Sequence, residues 1–101
     1  MELSLSDATI QITVLTQAQC DFCERAQQIL QRLASEYPLS VTPLDIASHD
    51  GQALAQRAGV IFPPGVLIDG VPFSYGRLSE RKLRRELDRR CQGQSRAERG
   101  R

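Results

Sequence analysis

The chain has 101 residues with 41% hydrophobic and 25% charged residues and a formal net charge of +1, which places it among ordinary globular domains. At this size a single core buries roughly 60 to 70% of the unfolded surface, so one domain without disulfide staples is expected. No stretch reaches the roughly 18 consecutive apolar residues of a membrane span, and residues 1–14 lack the basic start and apolar run of a signal peptide. A soluble protein of a reducing compartment, the cytoplasm, is the expectation, with no membrane partner.

The small net charge hides an asymmetry. Residues 1–76 carry three arginines against eight acidic residues, or −5, and residues 77–101 carry ten Lys and Arg against four acidic residues, or +6. Split signs of this kind can mark an interaction tail. Residues 1–91 are read as the domain, and residues 92–101, with no aliphatic residue larger than Ala97, as a basic disordered tail.

Ile10, Ile12 and Val14 alternate with Gln11 and Thr13, which predicts a first strand over residues 10–15. A short loop leads to Cys20. Ala26, Ile29, Leu30, Leu33, Ala34 and Tyr37 then follow the spacing of one helix face, and Pro38 ends that helix. Leu39, Val41, Leu44 and Ile46 suggest a second strand, and residues 50–59 a short helix closed by Gly59. Val66, Leu67 and Ile68 predict a third strand, Asp69-Gly70 a type I′ hairpin turn, and Val71, Phe73 and Tyr75 an alternating return strand. Ser79 can cap a last helix through about Arg90, with Leu83 and Leu87 on its buried side.

Strands joined through helices are expected to run parallel, and the hairpin pair antiparallel. Proline is tolerated mainly at sheet edges, and Pro43 and Pro72 fall in the second and fourth strands. The order 2-1-3-4 satisfies both, giving an α/β fold with a four-stranded mixed sheet and three helices.

The chemistry points to the cysteines. Cys20-Asp21-Phe22-Cys23 is a C-x-x-C between a predicted strand and a predicted helix. A cysteine at the helix N-cap faces unpaired N–H groups and the positive end of the helix dipole, which favour the thiolate. Cys23, one turn along, is close enough to close a disulfide. Lowering a thiol pKa from about 8.5 to about 7 raises the thiolate fraction at neutral pH from a few per cent to about half; Asp21 opposes that shift. Cys20 would attack a substrate disulfide and Cys23 would resolve the mixed disulfide.

The pair could instead be half of a zinc site. The other soft or imidazole ligands are His49 and Cys91, and separations of 26 residues (Cys23 to His49) and 42 (His49 to Cys91) do not form a second short ligand knuckle, so no metal is expected. Ahead of the third strand, Ile61-Phe62-Pro63-Pro64-Gly65 holds an X-Pro bond that, if cis, would present backbone beside Cys20 for an extended peptide.

Together, residues 10–16, Cys20-Asp21-Phe22-Cys23, Leu44-Asp45-Ile46 and Pro64-Gly65-Val66-Leu67-Ile68-Asp69-Gly70 resemble the thioredoxin superfamily, and more closely its glutaredoxin-like members. The resemblance covers residues 10–90 and implies a thioredoxin-like fold with Cys20 as nucleophile, Cys23 as resolving thiol and Pro64 as the cis-proline. No tryptophan precedes Cys20, and Val14 stands where thioredoxins tend to carry a buried acid. Gln17, Gln19 and Phe62-Pro63 stand where glutathione-using members commonly carry a basic residue and Thr-Val. The closing segment, Phe73-Ser74-Tyr75-Gly76-Arg77, is more like redoxins that take electrons from thioredoxin reductase. The resemblance implies a dithiol oxidoreductase that reduces protein or small-molecule disulfides, with no bound cofactor, a disulfide-containing protein client, and thioredoxin reductase or glutathione as reductant.

Phe22, Phe62, Pro63 and Pro64 are the candidate substrate-binding residues, although Phe22 could equally be a partly buried helix cap. Cys91 is read as a small hydrophobe rather than a third redox thiol, and His49 as a loop residue without a role. The basic last helix reads as a solvated face, interrupted by Glu80, Glu86 and Asp88 and free of aromatics, so nucleic acid is not an expected partner. A monomer is expected. A different functional class on the same fold, a metal or iron–sulfur module or a redox-inactive adaptor, is separated from the first by cysteine reactivity.

Overall fold

A computed structural model describes residues 9–99, with side chains as far as Cys91. Its elements are β1 (Ile10–Thr16), α1 (Asp21–Ala34), β2 (Leu39–Asp45), α2 (His49–Ala58), β3 (Gly65–Ile68), β4 (Val71–Tyr75) and α3 (Glu80–Arg99). The strands form one sheet in the order β2-β1-β3-β4, which leaves Pro43 and Pro72 on its two edges.

The alternation in β1 sends Ile10, Ile12 and Val14 to one face, where they meet Ala26, Leu30 and Leu33 of α1 and Leu83 and Leu87 of α3. Leu15 points to the other face and packs with Leu67, Ala55 and Val60 under α2. Helices therefore cover both faces, and β1 and β3 are buried between them. Each large side chain so buried contributes on the order of 1.5–3 kcal/mol.

Local chemistry sets the helix ends. Ser48 caps α2 by accepting from the Gly51 N–H at 2.9 Å, and Gly59 closes it in the left-handed region at φ 73°. The Ser79 hydroxyl accepts from the Lys82 N–H at 3.2 Å, as its position before the last helix predicts. Asp69 and Gly70 both have positive φ, 50° and 81°, the requirement of a type I′ turn.

Three expectations are corrected. First, β3 runs antiparallel to β1, pairing Leu15 with Gly65 and Ile12 with Ile68, whereas β1 and β2 are parallel as expected. A ten-residue α2 carries the chain only about 15 Å, and the extended residues 59–64 can reach up to about 20 Å back. The chain thus re-enters the sheet at the end it left. Second, α3 continues through Arg99, so residues 92–99 are helical backbone rather than a disordered tail. Gln, Arg, Ala and Glu are good helix formers even where they bury nothing. Residues 1–8 of the expected domain and 100–101 of the expected tail lie outside the described residues. Third, the alternation of Val71, Phe73 and Tyr75 is broken by a bulge: Val66 pairs with Ser74 and Leu67 with Pro72, leaving Phe73 as the extra residue. Tyr75 consequently falls on the face opposite Phe73.

Arginines tie α3 to its neighbours. Arg84 donates to both carboxylate oxygens of Glu36 at 2.7 and 2.8 Å, Arg32 of α1 reaches Glu80 at 2.6 Å, and Arg90 reaches Asp69 in the hairpin turn at 2.9 Å. Hydrogen bonds from these arginines hold Glu36 and Glu80 below the ordinary value of 4.5, and Arg89 and Arg90 do the same for Glu86. A carboxyl whose folded pKa is depressed stabilises the fold above its unfolded value and loses that contribution as the pH falls through the folded one. The melting temperature should therefore fall as the pH drops below 4.5. Arg84→Gln should show a shallower acid slope in scans at several pH values, and equal slopes would mean that the pairs carry no stability.

Candidate active site

Thr16, the last residue of β1, is held by the Ile46 N–H, which donates to its carbonyl at 2.8 Å. The chain then turns through Gln19, whose φ of 56° lies in the left-handed region, and delivers Cys20 to the N-cap of α1. There the Cys20 sulfur accepts the backbone N–H of Cys23 at 3.2 Å. One of the orphan donors of the helix start is thus aimed at the sulfur, as the N-cap position predicts.

Cys20 and Cys23 form a disulfide, with Cα atoms 5.2 Å apart. The two sulfurs differ in access, because Cys23 is only 2% exposed and packed into the helix base, while Cys20 is partly exposed. Cys91 is free, half-buried, and packed against the core on α3. His49 is solvent-exposed at the start of α2. Among the described residues no three His, Cys, Asp or Glu side chains come together as metal ligands.

The antiparallel direction of β3 brings its N-terminal end, with Pro64, to the end of β1 that leads to Cys20. The Pro63-Pro64 bond is cis, and the buried Pro64 gives its carbonyl to the Gly76 N–H at 2.8 Å. Before it, Ile61 and Phe62 stand 75% and 52% exposed, so an incoming molecule can reach them. Phe62 is nonetheless ordered by Tyr75: their rings meet edge to face, 5.2 Å between centroids at 88°. Tyr75 and Gly76 were not among the residues anticipated from sequence, and the bulge in β4 is why.

Gly76 makes the seat for this pair. Its φ of +80° favours glycine, and a Cβ there would come within 2.8 Å of the Phe62 Cε1. Gly76→Ala should cost about 1 kcal/mol or more in urea unfolding and push the Phe62 ring away, read as lost ring contacts to Tyr75 by NMR. A silent substitution would mean that the ring pair is not seated as described.

Phe22, between the cysteines, is 46% exposed. It does not cap the helix by burial. With Arg25, Ile29, Arg77, Leu78 and Glu80 it lines a cleft of about 230 Å³. Arg25 and Arg77 have no ion-pair partner among the described residues.

A four-stranded mixed sheet covered on both faces, with a C-x-x-C disulfide at the start of its first helix, defines a thioredoxin-like protein. Solved structures agree on the fold. A mutant thioredoxin from Halobacterium salinarum NRC-1 superimposes with a TM-score of 0.66 at 22% identity, covering 85% of this chain and 78% of that one. Thioredoxin O2 from Arabidopsis thaliana in its oxidized state gives 0.63 at 18% identity, covering 87% and 84%. The family model described as Glutaredoxin-like domain (DUF836) matches residues 11–88, and the chain belongs to that family. Uncharacterized proteins of Mycobacterium tuberculosis (strain ATCC 25618 / H37Rv) and Mycobacterium bovis (strain ATCC BAA-935 / AF2122/97) are each 33% identical over 82 residues, 78% of this chain and 84% of theirs. Among the described residues no helix is long and apolar enough to cross a membrane.

Proposed function

We propose that this protein is a dithiol-disulfide oxidoreductase that reduces disulfides of protein clients in the cytoplasm. The observation that carries the reading is the asymmetric pair: a partly exposed Cys20 sulfur receiving a helix-start N–H, and a buried Cys23 in disulfide contact with it. The N–H that the sulfur accepts here would stabilise the Cys20 thiolate once the bond is reduced.

In each turnover the thiolate of Cys20 attacks one sulfur of the client disulfide. That S–S bond breaks, a Cys20–client bond forms, and the departing client thiolate takes up a proton. Cys23, deprotonated in turn, attacks the Cys20 sulfur, closes the Cys20–Cys23 bond and releases the second client thiol. Two electrons pass from the protein to the client. Phe22, Phe62 and Pro63 form the contact surface around the exchanging sulfurs, and the buried Pro64 anchors it through its carbonyl, which accepts from the Gly76 N–H.

The oxidised protein must then be reduced, and we assign that step to thioredoxin reductase rather than glutathione. No bound cofactor takes part. Side-by-side reduction of the oxidised protein by glutathione and by thioredoxin reductase with NADPH tests this, followed as loss of the Cys20–Cys23 bond. Faster reduction by the reductase is expected; faster reduction by glutathione reverses the donor assignment, and resistance to both removes the oxidoreductase reading.

A further inference from the structure

The basic side chains of α3 divide into two sets. Arg84, Arg89 and Arg90 are committed to ion pairs with Glu36, Glu80, Glu86 and Asp69. Arg81, Lys82 and Arg85 are exposed and make no side-chain hydrogen bond or ion pair with a described residue, and the same holds for Arg77 ahead of the helix and Arg25 on α1. These cations are not scattered. Arg25 and Arg77 line the cleft that Phe22 also lines, whereas Arg81 and Arg85 line a hollow of about 580 Å³ along α3, and Glu80 is a wall of both. The carboxylates facing the hollow are already occupied, Glu80 by Arg32 and Arg84 and Asp88 by the Tyr37 hydroxyl. Asp21 and Glu24 of α1 line neither space. A track of uncompensated positive charge therefore runs from Phe22, which lies between the two cysteines in sequence, along α3.

These charges do not help the helix. Like charges at i and i+4, as at Arg81 and Arg85, weaken it, and cations in its first turn oppose its dipole. A negatively charged partner reverses both effects. The helix start is already capped by the Ser79 hydroxyl, so the side chains are what such a partner meets. Resting on the oxidoreductase reading above, we propose that the track from Arg25 and Arg77 to Arg85 docks an acidic, extended segment of the protein client. Arg81 and Arg85 are about 6 Å apart along the helix axis, and alternate residues of an extended chain recur about every 7 Å. Asp or Glu at every second position thus meets successive arginines. The absence of aromatic residues from α3 leaves nothing there on which bases could stack, which favours a polypeptide over single-stranded nucleic acid.

Binding is tested on the oxidised protein by fluorescence anisotropy, with a labelled peptide of alternating Glu and Ser, its Glu→Gln counterpart, and single-stranded DNA of the same charge. The Glu peptide should bind roughly tenfold more tightly than the Gln peptide, since several exposed ion pairs each contribute a factor of up to about five, and the advantage should vanish at high salt. Arg81→Glu combined with Arg85→Glu should abolish it without unfolding the chain, because both side chains are exposed and unpaired. The consequence for turnover is read with pre-reduced protein, freed of reductant, and the same peptides carrying a cystine. Cys20 and Cys23 pass two electrons and two protons to that cystine, closing their own disulfide and releasing two peptide thiols. In the double variant the second-order rate constant should fall about tenfold for the Glu peptide and stay within about twofold for the Gln peptide.

Equal affinity of the wild type for the Glu and Gln peptides, or an unaltered Glu preference in the double variant, overturns the proposal. DNA binding as tight as that of the Glu peptide also overturns it, by giving the track to nucleic acid. Failure of the underlying reading looks different: the reduced protein would leave both cystine peptides intact while the oxidised protein still prefers the Glu peptide.

Discussion

Cys20→Ser should leave a folded protein that no longer reduces disulfides, with turnover at least about a thousandfold below wild type, since a hydroxyl cannot replace the attacking thiolate at neutral pH. The fold survives because the position is a helix N-cap, for which serine is among the best residues. Its hydroxyl can accept the Cys23 N–H that the sulfur accepts now. Loss of activity with an unchanged thermal transition of the reduced protein therefore isolates the chemistry from stability. Cys23→Ser should behave differently. The first attack remains possible and the resolving step is lost, so a covalent client adduct on Cys20 accumulates and appears by mass spectrometry as the protein plus one client. Cys91→Ala should keep turnover within about twofold, because Cys91 packs on the core side of α3 as a small apolar group. Equal losses in the Cys20 and Cys91 variants would contradict the division of roles.

The largest effect on stability should come from Leu83→Ala. Leu83 is fully buried where α3 meets Ile10, Ile12 and Val14 of β1 and Leu30 and Leu33 of α1. Truncation removes the transfer free energy of the lost atoms and leaves a cavity under a helix whose neighbours can close it only in part. The expected loss is about 2–5 kcal/mol, against a total of about 5–15 kcal/mol for a domain. Urea unfolding should show a lower midpoint with an unchanged slope. Arg81, exposed on the same helix, provides the contrast, and Arg81→Ala should stay within about 0.5 kcal/mol. A Leu83→Ala loss under about 1 kcal/mol would mean that α3 is not packed as described.

Much of this architecture was legible in the chain because strong local signals agreed with the tertiary outcome. The Ile10, Ile12, Val14 alternation, the apolar stripe of α1 and the paired positive φ values at Asp69-Gly70 are each set by short-range chemistry. Pro43 and Pro72 went further and located the sheet edges, since the absence of an N–H is a long-range constraint written in one residue.

The features that escaped sequence reasoning depend on distance in space. The direction of β3 is decided by how far α2 carries the chain and how far residues 59–64 bring it back, and no periodicity reports that sum. Placing Pro64 beside Cys20 in fact requires the antiparallel direction, so the expected parallel pairing conflicted with the expected site. The bulge at Phe73 has no local marker either, and with it the Phe62–Tyr75 contact stayed hidden. The extended α3 shows the limit of compositional reasoning, in which the lack of apolar residues after Cys91 said nothing against helical backbone.

The most direct test of the account is the redox equilibrium of the 101-residue chain in buffers of graded dithiothreitol ratio, with each cysteine mapped by alkylation and mass spectrometry. The predicted result is a single reversible two-electron transition confined to Cys20 and Cys23, with Cys91 alkylated throughout and the reduced Cys20 reacting fastest near pH 7. Absence of a reversible Cys20–Cys23 transition, or equal alkylation rates at Cys20 and Cys91, would contradict it.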